Sequence, residues 1–439
     1  MKILVSWLGE YVDLSSVGFE QLVDALAGLG LPVDETVRTG AVPGVVTARV
    51  ERTESHPNAA KVQRVWVSTG DGSPHHVWCG AFNFQPGDIV PLALVGTEMP
   101  DGRTISRRGI LGIESEGMLC SARELGLGDD HSGIVVLSND TPLGVPYGEA
   151  LGLQEEVVVD IDVTRNRPDA WSYVGVARDV AAKLGRAFTP PTPAPIRPAG
   201  REPVTTVALV AGDRCGRFTS TVLAGVQVGP SAPWMAQRLT AAGMRPISNV
   251  VDVSNYVMLE LGQPNHPYDL ATLGGGGFRV RLATDGEQLT TLDGVTRTLT
   301  ADDLLICDAT DAPIGLAGVM GGEHTEISAA TTEVALEMAW FEPLGIAGTV
   351  ARTGLRSEAS ARFERGVDPY GIERAIARFV ELLAETCPDL VAREGAVDAT
   401  SSALPPAERT TRVRVQQVGR MLGPSLSERE IVDLLGPIG

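Results

Sequence analysis

The chain has 439 residues, 43% hydrophobic and 21% charged, a balance typical of a soluble globular protein with about three domains. The formal net charge of −19 excludes a protein that coats nucleic acid by bulk attraction, though not one that contacts it locally. No run approaches the roughly 20 apolar residues that span a bilayer, the start lacks a signal-peptide pattern, and five scattered cysteines without a CxxC pair argue against disulfides or a zinc site and favour the cytoplasm.

The two segments 1–39 and 152–188 share an α/β character. The first contains a predicted strand at 3–7 and a predicted helix at 19–29, with too few apolar side chains to form a core alone. The second has a β-type run, VVVDIDVT, and then a helix that begins after Asn166. We expect the two segments to form one discontinuous α/β domain.

The segment between them, residues 40–151, is then an insertion rich in short β-type runs. Asp71-Gly72 and Asp101-Gly102 are typical of hairpin turns. Five or so strands with a helical insert favour a small closed barrel such as the oligonucleotide-binding (OB) fold. The blocks HPN and GIESEGMLCSARELGL within it fit either a binding surface or a tight barrel corner.

The rest of the chain is predicted to be mainly one large domain. A proline-rich linker at 189–203 precedes an α+β domain at 204–400, in which a long amphipathic helix is predicted at 370–385. Residues 405–439 predict a strand, a turn and a helix capped by Ser427, too little to bury a core, and so the start of a truncated domain. The predicted fold class is α+β, with several domains.

Three stretches of the large domain are unusually polar or glycine-rich. GMRPISNVVDVSNYVMLELGQPNHPYDL (243–270) contains many hydrogen-bonding side chains among apolar ones, and each would need a partner if buried. GLAGVMGGEH (315–324) and LEMAWF (336–341) follow it. Together they offer a cation, an imidazole, a glycine-lined backbone and a carboxylate, and we interpret them as one pocket.

These motifs identify a family resemblance that extends over essentially the whole chain. The 243–270 stretch, AGVMGGEH and SEASARFERGVDP resemble the β subunit of bacterial phenylalanine–tRNA ligase in sequence, order and spacing. So do WLGEYVDL, GIESEGMLCSARELGL and NRPDAWSYVGVARDVAA. The chain is similar to the amino-terminal portion of that subunit, which continues further in the family.

The resemblance implies a role within a larger cytoplasmic enzyme. In the family, two α and two β subunits form a heterotetramer that charges tRNA-Phe. The aminoacylation site lies in α, and ATP and Mg²⁺ bind in α or at positions that would follow Gly439. For this portion the resemblance implies no cofactor or metal, but contact with tRNA, assembly with α, and an editing site that hydrolyses tyrosine wrongly attached to tRNA-Phe.

Editing needs a second site because tyrosine and phenylalanine differ by one hydroxyl, which a hydrophobic pocket rejects only about 10²-fold. By resemblance, Glu337 accepts the phenol proton, Arg245 holds the terminal adenosine, and His266 places the ester and the attacking water. The residues alone leave other interpretations open. Glu337 could be a surface residue of an edge strand, Arg245 could form an ion pair with Asp252 or another acid, and His266 could be merely hydrogen-bonded.

The resemblance also implies residues that line the editing pocket: Ser248, Asn249, Gly318, Gly321, Ser357 and Ala359. Glycines allow close backbone approach, although the same pattern fits a tight turn. Family members often have threonine where Ser357 stands, and an acid after HPN-Ala where this chain has Ala60. The alternative function is therefore a tRNA-binding and assembly subunit with a degenerate editing pocket.

Overall fold

The computed structural model describes residues 1–56, 59–72, 74–110, 113–127, 130–151, 155–199 and 205–438. Pro57 and Asn58 of the HPN block, Gly112, and the linker residues 200–203 lie outside the described residues. The strands are β1 (Lys2–Leu4), β2 (Val33–Gly40), β3 (Val45–His56), β4 (Ala59–Ser68), β5 (His75–Cys79), β6 (Ile89–Leu94), β7 (Arg108–Ile110), β8 (Ile113–Ser115), β9 (Gly117–Leu119), β10 (Glu155–Ile161), β11 (Thr206–Leu209), β12 (Cys215–Ala224), β13 (Asn265–Asp269), β14 (Gly277–Leu282), β15 (Gln288–Thr290), β16 (Thr296–Thr298), β17 (Leu304–Asp308), β18 (Pro313–Leu316), β19 (Met320–Gly321), β20 (Glu333–Phe341), β21 (Val391–Ala392) and β22 (Val397–Thr400). The helices are α1 (Val5–Leu8), α2 (Phe19–Gly28), α3 (Tyr147–Ala150), α4 (Tyr173–Leu184), α5 (Pro233–Ala241), α6 (Asn249–Leu261), α7 (Pro343–Thr353), α8 (Glu358–Phe363), α9 (Ile372–Ala384), α10 (Val415–Leu422) and α11 (Glu428–Leu435).

A small antiparallel sheet, in the order β1-β10-β2, joins the start of the chain to residues 155–161. The strand predicted at 3–7 is wrong in its second half, because α1 begins at Val5. Trp7 on α1 is fully buried and stacks between Tyr173 of α4 and Tyr256 of α6, at centroid distances of 3.8 and 4.3 Å. The apolar side chains of the first sheet are therefore buried against the large domain.

Strands β5-β4-β3-β6-β9 form a nearly closed antiparallel barrel. The backbone N–H of Glu116 donates to the carbonyl of His76 at 2.8 Å, which links the two ends of the strand order. Two clusters of buried side chains fill the barrel, and all their members lie between Val42 and Tyr147. The barrel therefore has a core of its own.

The large domain contains two five-stranded assemblies. One has the order β13-β20-β12-β21, with β22 also paired to β12, and the other has the order β11-β14-β17-β18-β19. The helix predicted at 370–385 is α9, and the polar stretch 243–270 forms α6 and β13. No described helix is long and apolar enough to traverse a bilayer.

Strand β20 separates two hydrophobic cores. Val334, Leu336 and Met338 face the core that contains α6 and α9, while Ala335 and Ala339 face the second sheet. Glu337 lies between these alanines in the alternation. Because β12 and β13 pair with β20 on both sides, the interpretation of Glu337 as an edge-strand surface residue is wrong.

The strand predicted at the start of the 405–439 segment is also wrong. The described residues of this segment contain the helices α10 and α11 and no strand. All apolar side chains of both helices are at least partly exposed. A strand needs a partner to satisfy its backbone hydrogen bonds, and no described strand pairs with this segment, whereas a helix satisfies most of its own.

Candidate functional site

A cavity of about 80 Å³ lies between β13 and β20 on one side and the β18–β19 hairpin on the other. The small side chains of Ala335 and Ala339 flank Glu337 on its face of β20, which leaves space that larger residues would fill. The lining residues are Pro264, Asn265, His266, Tyr268, Ile306, Gly315, Leu316, Gly318, Val319, Met320, Gly321, Glu337, Ala359 and Phe363. Five of the nine residues predicted for the editing site are among them: His266, Glu337, Gly318, Gly321 and Ala359.

Glu337 is the buried acid of this cavity, with only 5% of its surface exposed. Burial raises the pKa of its carboxyl to about 8, because the charged form loses its hydration. The Tyr268 hydroxyl donates to Oε2 of Glu337 at 3.2 Å and opposes part of that shift. At neutral pH Glu337 is therefore mainly a neutral carboxyl, which can both donate and accept a hydrogen bond.

His266 lies beside Glu337 on the neighbouring strand. The two residues are direct partners in the antiparallel register of β13 and β20, so their side chains share one face of the sheet. Burial lowers the pKa of His266 to about 4, which keeps the imidazole neutral at physiological pH. Its buried Nε2 has no hydrogen-bond partner among the described residues. A neutral imidazole with an unused ring nitrogen can orient a water molecule.

At two positions of the β18–β19 hairpin, neighbouring side chains leave no room for a Cβ atom, so glycine is required. A Cβ on Gly321 would lie 2.5 Å from Cε1 and 2.7 Å from Nε2 of His266, so only glycine admits the imidazole at this position. Gly318 has a φ of 67°, in the left-handed region that favours glycine, and a Cβ there would press on Phe341 and Phe363. These glycines therefore bring backbone close to the imidazole and to the aromatic wall.

Ser357 and Ala359 lie at the start of α8, which forms the third wall. Ala359 lines the cavity, whereas Ser357 is the N-cap residue of α8 and accepts from the backbone N–H of Ser360 at 3.1 Å. The Ser357 hydroxyl also donates to the carbonyl of Val319 at 2.6 Å. Ser357 thus links α8 to the β18–β19 hairpin, which we call the glycine hairpin.

The structure does not bring Arg245, Ser248 or Asn249 into this cavity. Asn249 is buried and its amide donates to the carbonyl of Gln227 and to the hydroxyl of Thr386, both at 2.9 Å, so its contacts are those of a packing residue. Ser248 is the N-cap residue of α6.

Arg245 is exposed in a separate cleft of about 720 Å³, whose lining also includes Lys2 and Arg123. The alternative ion pair of Arg245 with Asp252 is wrong. Asp252 instead accepts from the backbone N–H of Ile247 at 2.8 Å and from the hydroxyl of Ser231.

Sequence reasoning missed Tyr268 as a site residue. It follows His266 by two positions on β13, and alternation along a strand places both on the same face. Burial and the adjacent Glu337 raise its pKa, so its hydroxyl stays protonated. The alternation of NHPYDL could have identified it once β13 was recognised as a strand.

The arrangement suits recognition of a hydroxyl group inside an apolar cavity. Glu337 and Tyr268 provide a hydrogen-bonding pair, His266 provides a neutral nitrogen, and Phe363 provides a ring wall. Within the described residues, no group of three or more His, Cys, Asp or Glu is placed to hold a metal ion. The chemistry available here is hydrogen bonding and orientation of water.

Two protein families match the sequence. The family described as "B3/4 domain" matches residues 214–388, which include the whole cavity lining. The family described as "Putative tRNA binding domain" matches residues 45–146, which form the barrel.

Curated relatives match over the full length of the chain. The phenylalanine–tRNA ligase β subunit of Anaeromyxobacter dehalogenans is 46% identical over 100% of this chain and 54% of its own length. That of Geobacter sulfurreducens is 45% identical over 98% of this chain and 53% of its own length. Among solved structures, an N-terminal fragment of the phenylalanyl-tRNA synthetase β subunit from Pyrococcus horikoshii matches 64% of this chain and 77% of that chain, with 15% identity and a TM-score of 0.30, too low to support an argument.

Proposed function

The chain belongs to the family of phenylalanine–tRNA ligase β subunits and spans about half the length of the curated relatives it matches, and from this premise we propose that it hydrolyses tyrosine wrongly attached to tRNA-Phe. The proposal rests on the position of Glu337, whose buried carboxyl faces the cavity and accepts a hydrogen bond from Tyr268. A buried acid without a cationic partner is costly, and such groups concentrate at functional sites.

In the proposed reaction the tyrosyl ring enters the cavity and its phenol hydrogen-bonds to Glu337. His266 orients a water molecule through its free Nε2. The water oxygen attacks the ester carbonyl carbon, the bond from that carbon to the ribose oxygen breaks, the proton lost by the water is taken up by the ribose oxygen, and tyrosine is released. A phenylalanyl ring would leave the buried Glu337 without a polar partner from the substrate, which favours the tyrosyl ester.

Arg245 acts outside the cavity in this proposal. It lies in the cleft with Lys2 and Arg123, and we assign it the terminal adenosine of the tRNA rather than the amino acid. The barrel, which we propose to be an OB fold, contacts tRNA locally. Since the chain is strongly acidic overall, that contact should weaken steeply with salt.

For the whole enzyme we propose the assembly and cofactors of the family. The chain would pair with an α subunit in a cytoplasmic α₂β₂ heterotetramer that attaches phenylalanine to tRNA-Phe with ATP and Mg²⁺. The aminoacylation site would lie in α, and this portion would contribute editing, tRNA contact and assembly.

A second candidate function is a tRNA-binding and assembly subunit whose editing pocket is degenerate. The size of the cavity favours it, since about 80 Å³ is well below the roughly 300–1,000 Å³ of most ligand pockets. Editing therefore requires the glycine hairpin or α8 to move outward when the substrate binds.

Deacylation of tyrosyl-tRNA-Phe by the full chain distinguishes the two functions. The unmutated chain should release tyrosine. Glu337→Ala should lower the rate at least tenfold, because the loss of one buried hydrogen bond to the substrate raises the activation free energy by about 1.4 kcal/mol. The matched control is Glu333→Ala at the start of the same strand, where the side chain is 40% exposed and pairs with Arg393. If the unmutated chain leaves the ester intact, the editing proposal fails and the assembly function takes its place.

A further inference from the structure

Four arginines lie in and beside α8. Arg362 and Arg365 lie at its carboxyl end, Arg356 precedes it, and Arg165 comes from the loop after β10. Arg365, Arg356 and Arg165 lie 2.8, 3.4 and 3.7 Å from the single carboxylate of Glu364. We call these four residues the arginine cluster.

The arginine cluster has more positive charge than its partners neutralise. Glu364 serves three guanidinium groups, and Glu358 pairs with Arg362 alone at 2.8 Å. Burial lowers the pKa of Arg365, and the nearby guanidinium groups of Arg356 and Arg165 lower it further. Four cations face two anions, so one further anion would be stabilised here.

Three buried donors in and beside the cluster have no hydrogen-bond acceptor among the described residues. They are Nη2 of Arg362, Nε of Arg365 and the indole Nε1 of Trp171. The guanidinium of Arg365 lies over the Trp171 ring at 4.6 Å, and the Arg362 side chain is 99% buried. Buried donors normally have partners, and an arginine fork matches the oxygens of a phosphate.

The position of the cluster links it to the cavity. Ala359 and Phe363 on α8 line the cavity, and Arg356 and Arg365 lie within six residues of Ala359. At about 1.5 Å per residue, Arg356 and Arg365 lie roughly 5 and 9 Å from Ala359 along the direction of α8, a separation that neighbouring nucleotides of one strand can span. Arg165 and Arg356 are 68% and 61% exposed and form the accessible part of the cluster.

We propose that the arginine cluster binds a backbone phosphate in the single-stranded 3′ end of the tRNA whose esterified amino acid occupies the cavity. This inference rests on the proposed function and adds to it the anchor for the RNA backbone. Arg165 and Arg356 make the first contact with the phosphate oxygens, and Arg365 supports them from behind. Glu364 holds the three guanidinium groups in place without neutralising them.

The test measures binding of the full chain to uncharged tRNA-Phe at several salt concentrations. The variant is Arg165→Ala with Arg356→Ala, and both positions are exposed enough for the fold to tolerate the change. Binding should weaken roughly tenfold, and the slope of log affinity against log salt should become shallower by about 0.7, since one phosphate contact contributes about that much on a single strand. The matched control, Arg429→Ala, removes an arginine that is 91% exposed and should change neither quantity.

A second RNA locates the contact. With tRNA-Phe from which the single-stranded 3′ nucleotides have been removed, the unmutated chain and the double variant should bind equally. An equal loss on both RNAs would overturn the assignment to the 3′ end, and an unchanged salt slope, or no binding by the unmutated chain, would overturn the phosphate contact. If inorganic phosphate binds the unmutated chain and not the variant while RNA binding is unaffected, the site serves a small phosphate and the RNA proposal is wrong.

These outcomes are independent of editing. The RNA is uncharged, so a chain without deacylation activity can still show the phosphate contact. Conversely, deacylation that depends on Glu337, with an unchanged salt slope in the double variant, would leave the editing proposal standing and remove only this inference.

Discussion

The pKa of Glu337 predicts how stability should depend on pH at one residue. In the folded state the pKa is about 8, whereas an unfolded chain restores the ordinary value of about 4.3. Between these values the folded state keeps a proton that the unfolded state has released, so this group's contribution to the unfolding free energy falls as the pH rises. Below pH 4 the contribution is fully present, and above pH 8 it is lost.

Glu337→Gln removes this titration while it preserves the shape of the side chain. We expect the variant to gain stability relative to the unmutated chain as the pH rises from 5 to 8, by up to about 1.4 kcal/mol per pH unit. Urea unfolding at each pH measures the difference. The comparison variant on the same strand is Glu333→Gln, whose side chain is half-buried and lies outside the cavity, and parallel pH profiles for Glu337→Gln and the unmutated chain would contradict the burial of a neutral acid.

The residues predicted for the editing pocket differ in how far sequence could place them. Glu337 is a carboxylate in an otherwise apolar β-type run, so its pattern alone marked it as unusual. Asn249 belonged to an equally polar stretch, yet its amide holds the Gln227 loop to α6. Sequence gives the presence of a polar group but not the direction of its side chain, which the packing of α6 against α9 determines.

At the scale of one element, the cap of α8 offers a test with an internal control. Ser357 and Ser427 are both N-cap residues in capping boxes, the first on α8 at the cavity and the second on the exposed α11. Ser357→Ala loses the cap and the hydrogen bond to Val319, so we expect a loss of about 1–2 kcal/mol in unfolding free energy. Ser427→Ala should fray α11 and leave the main transition unchanged.

Thermal unfolding and deacylation separate these effects. Ser357→Thr keeps the hydroxyl and should restore stability, whereas Ser357→Ala should also slow deacylation because α8 is no longer fastened to the glycine hairpin. Equal thermal shifts for Ser357→Ala and Ser427→Ala would show that the bond to Val319 contributes nothing.

Elements with strong local signals were predicted well. The helix at 370–385 has a clear apolar face and starts and ends within two residues of α9. The strand predicted at the start of the 405–439 segment failed, because a short run such as RTTRVRVQQ alternates weakly and its outcome depends on whether a partner strand is present. Local pattern determines long amphipathic helices, while short strands depend on tertiary pairing.

At the scale of the whole molecule, one hydrophobic core extends across segments that sequence separated. Side chains from α1, α4, α6 and α9 share a single cluster, and the Tyr11 hydroxyl donates to Glu260 at 2.6 Å within it. Glu260 also accepts two hydrogen bonds from Arg378, at 2.8 and 2.9 Å. Apolar content showed that residues 1–39 could not fold alone, but the partner surface on α6 has no signature in the sequence.

The barrel, by contrast, should be removable. Its two hydrophobic clusters contain only barrel residues, and the chain enters and leaves it at positions that are already neighbours, since Gly40 of β2 pairs with Glu155 of β10. Paired Cα atoms in an antiparallel sheet are about 5 Å apart, which a two-residue Asn-Gly turn can bridge. If such a turn replaces residues 41–154, the neighbouring strands β2 and β10 are joined as an ordinary hairpin.

We expect both pieces to fold. Residues 41–151 alone should give a cooperative thermal transition, and the chain in which the turn replaces residues 41–154 should keep the main transition of the full chain within about 2 °C, a shift that corresponds to roughly 1 kcal/mol for a chain of this size. Deletion of residues 1–40 is the opposite control, because it exposes the shared core under α6 and should abolish cooperative unfolding. If removal of the barrel abolished it as well, the barrel would have to contribute to the core of the large domain, contrary to the separate clusters that the structure shows.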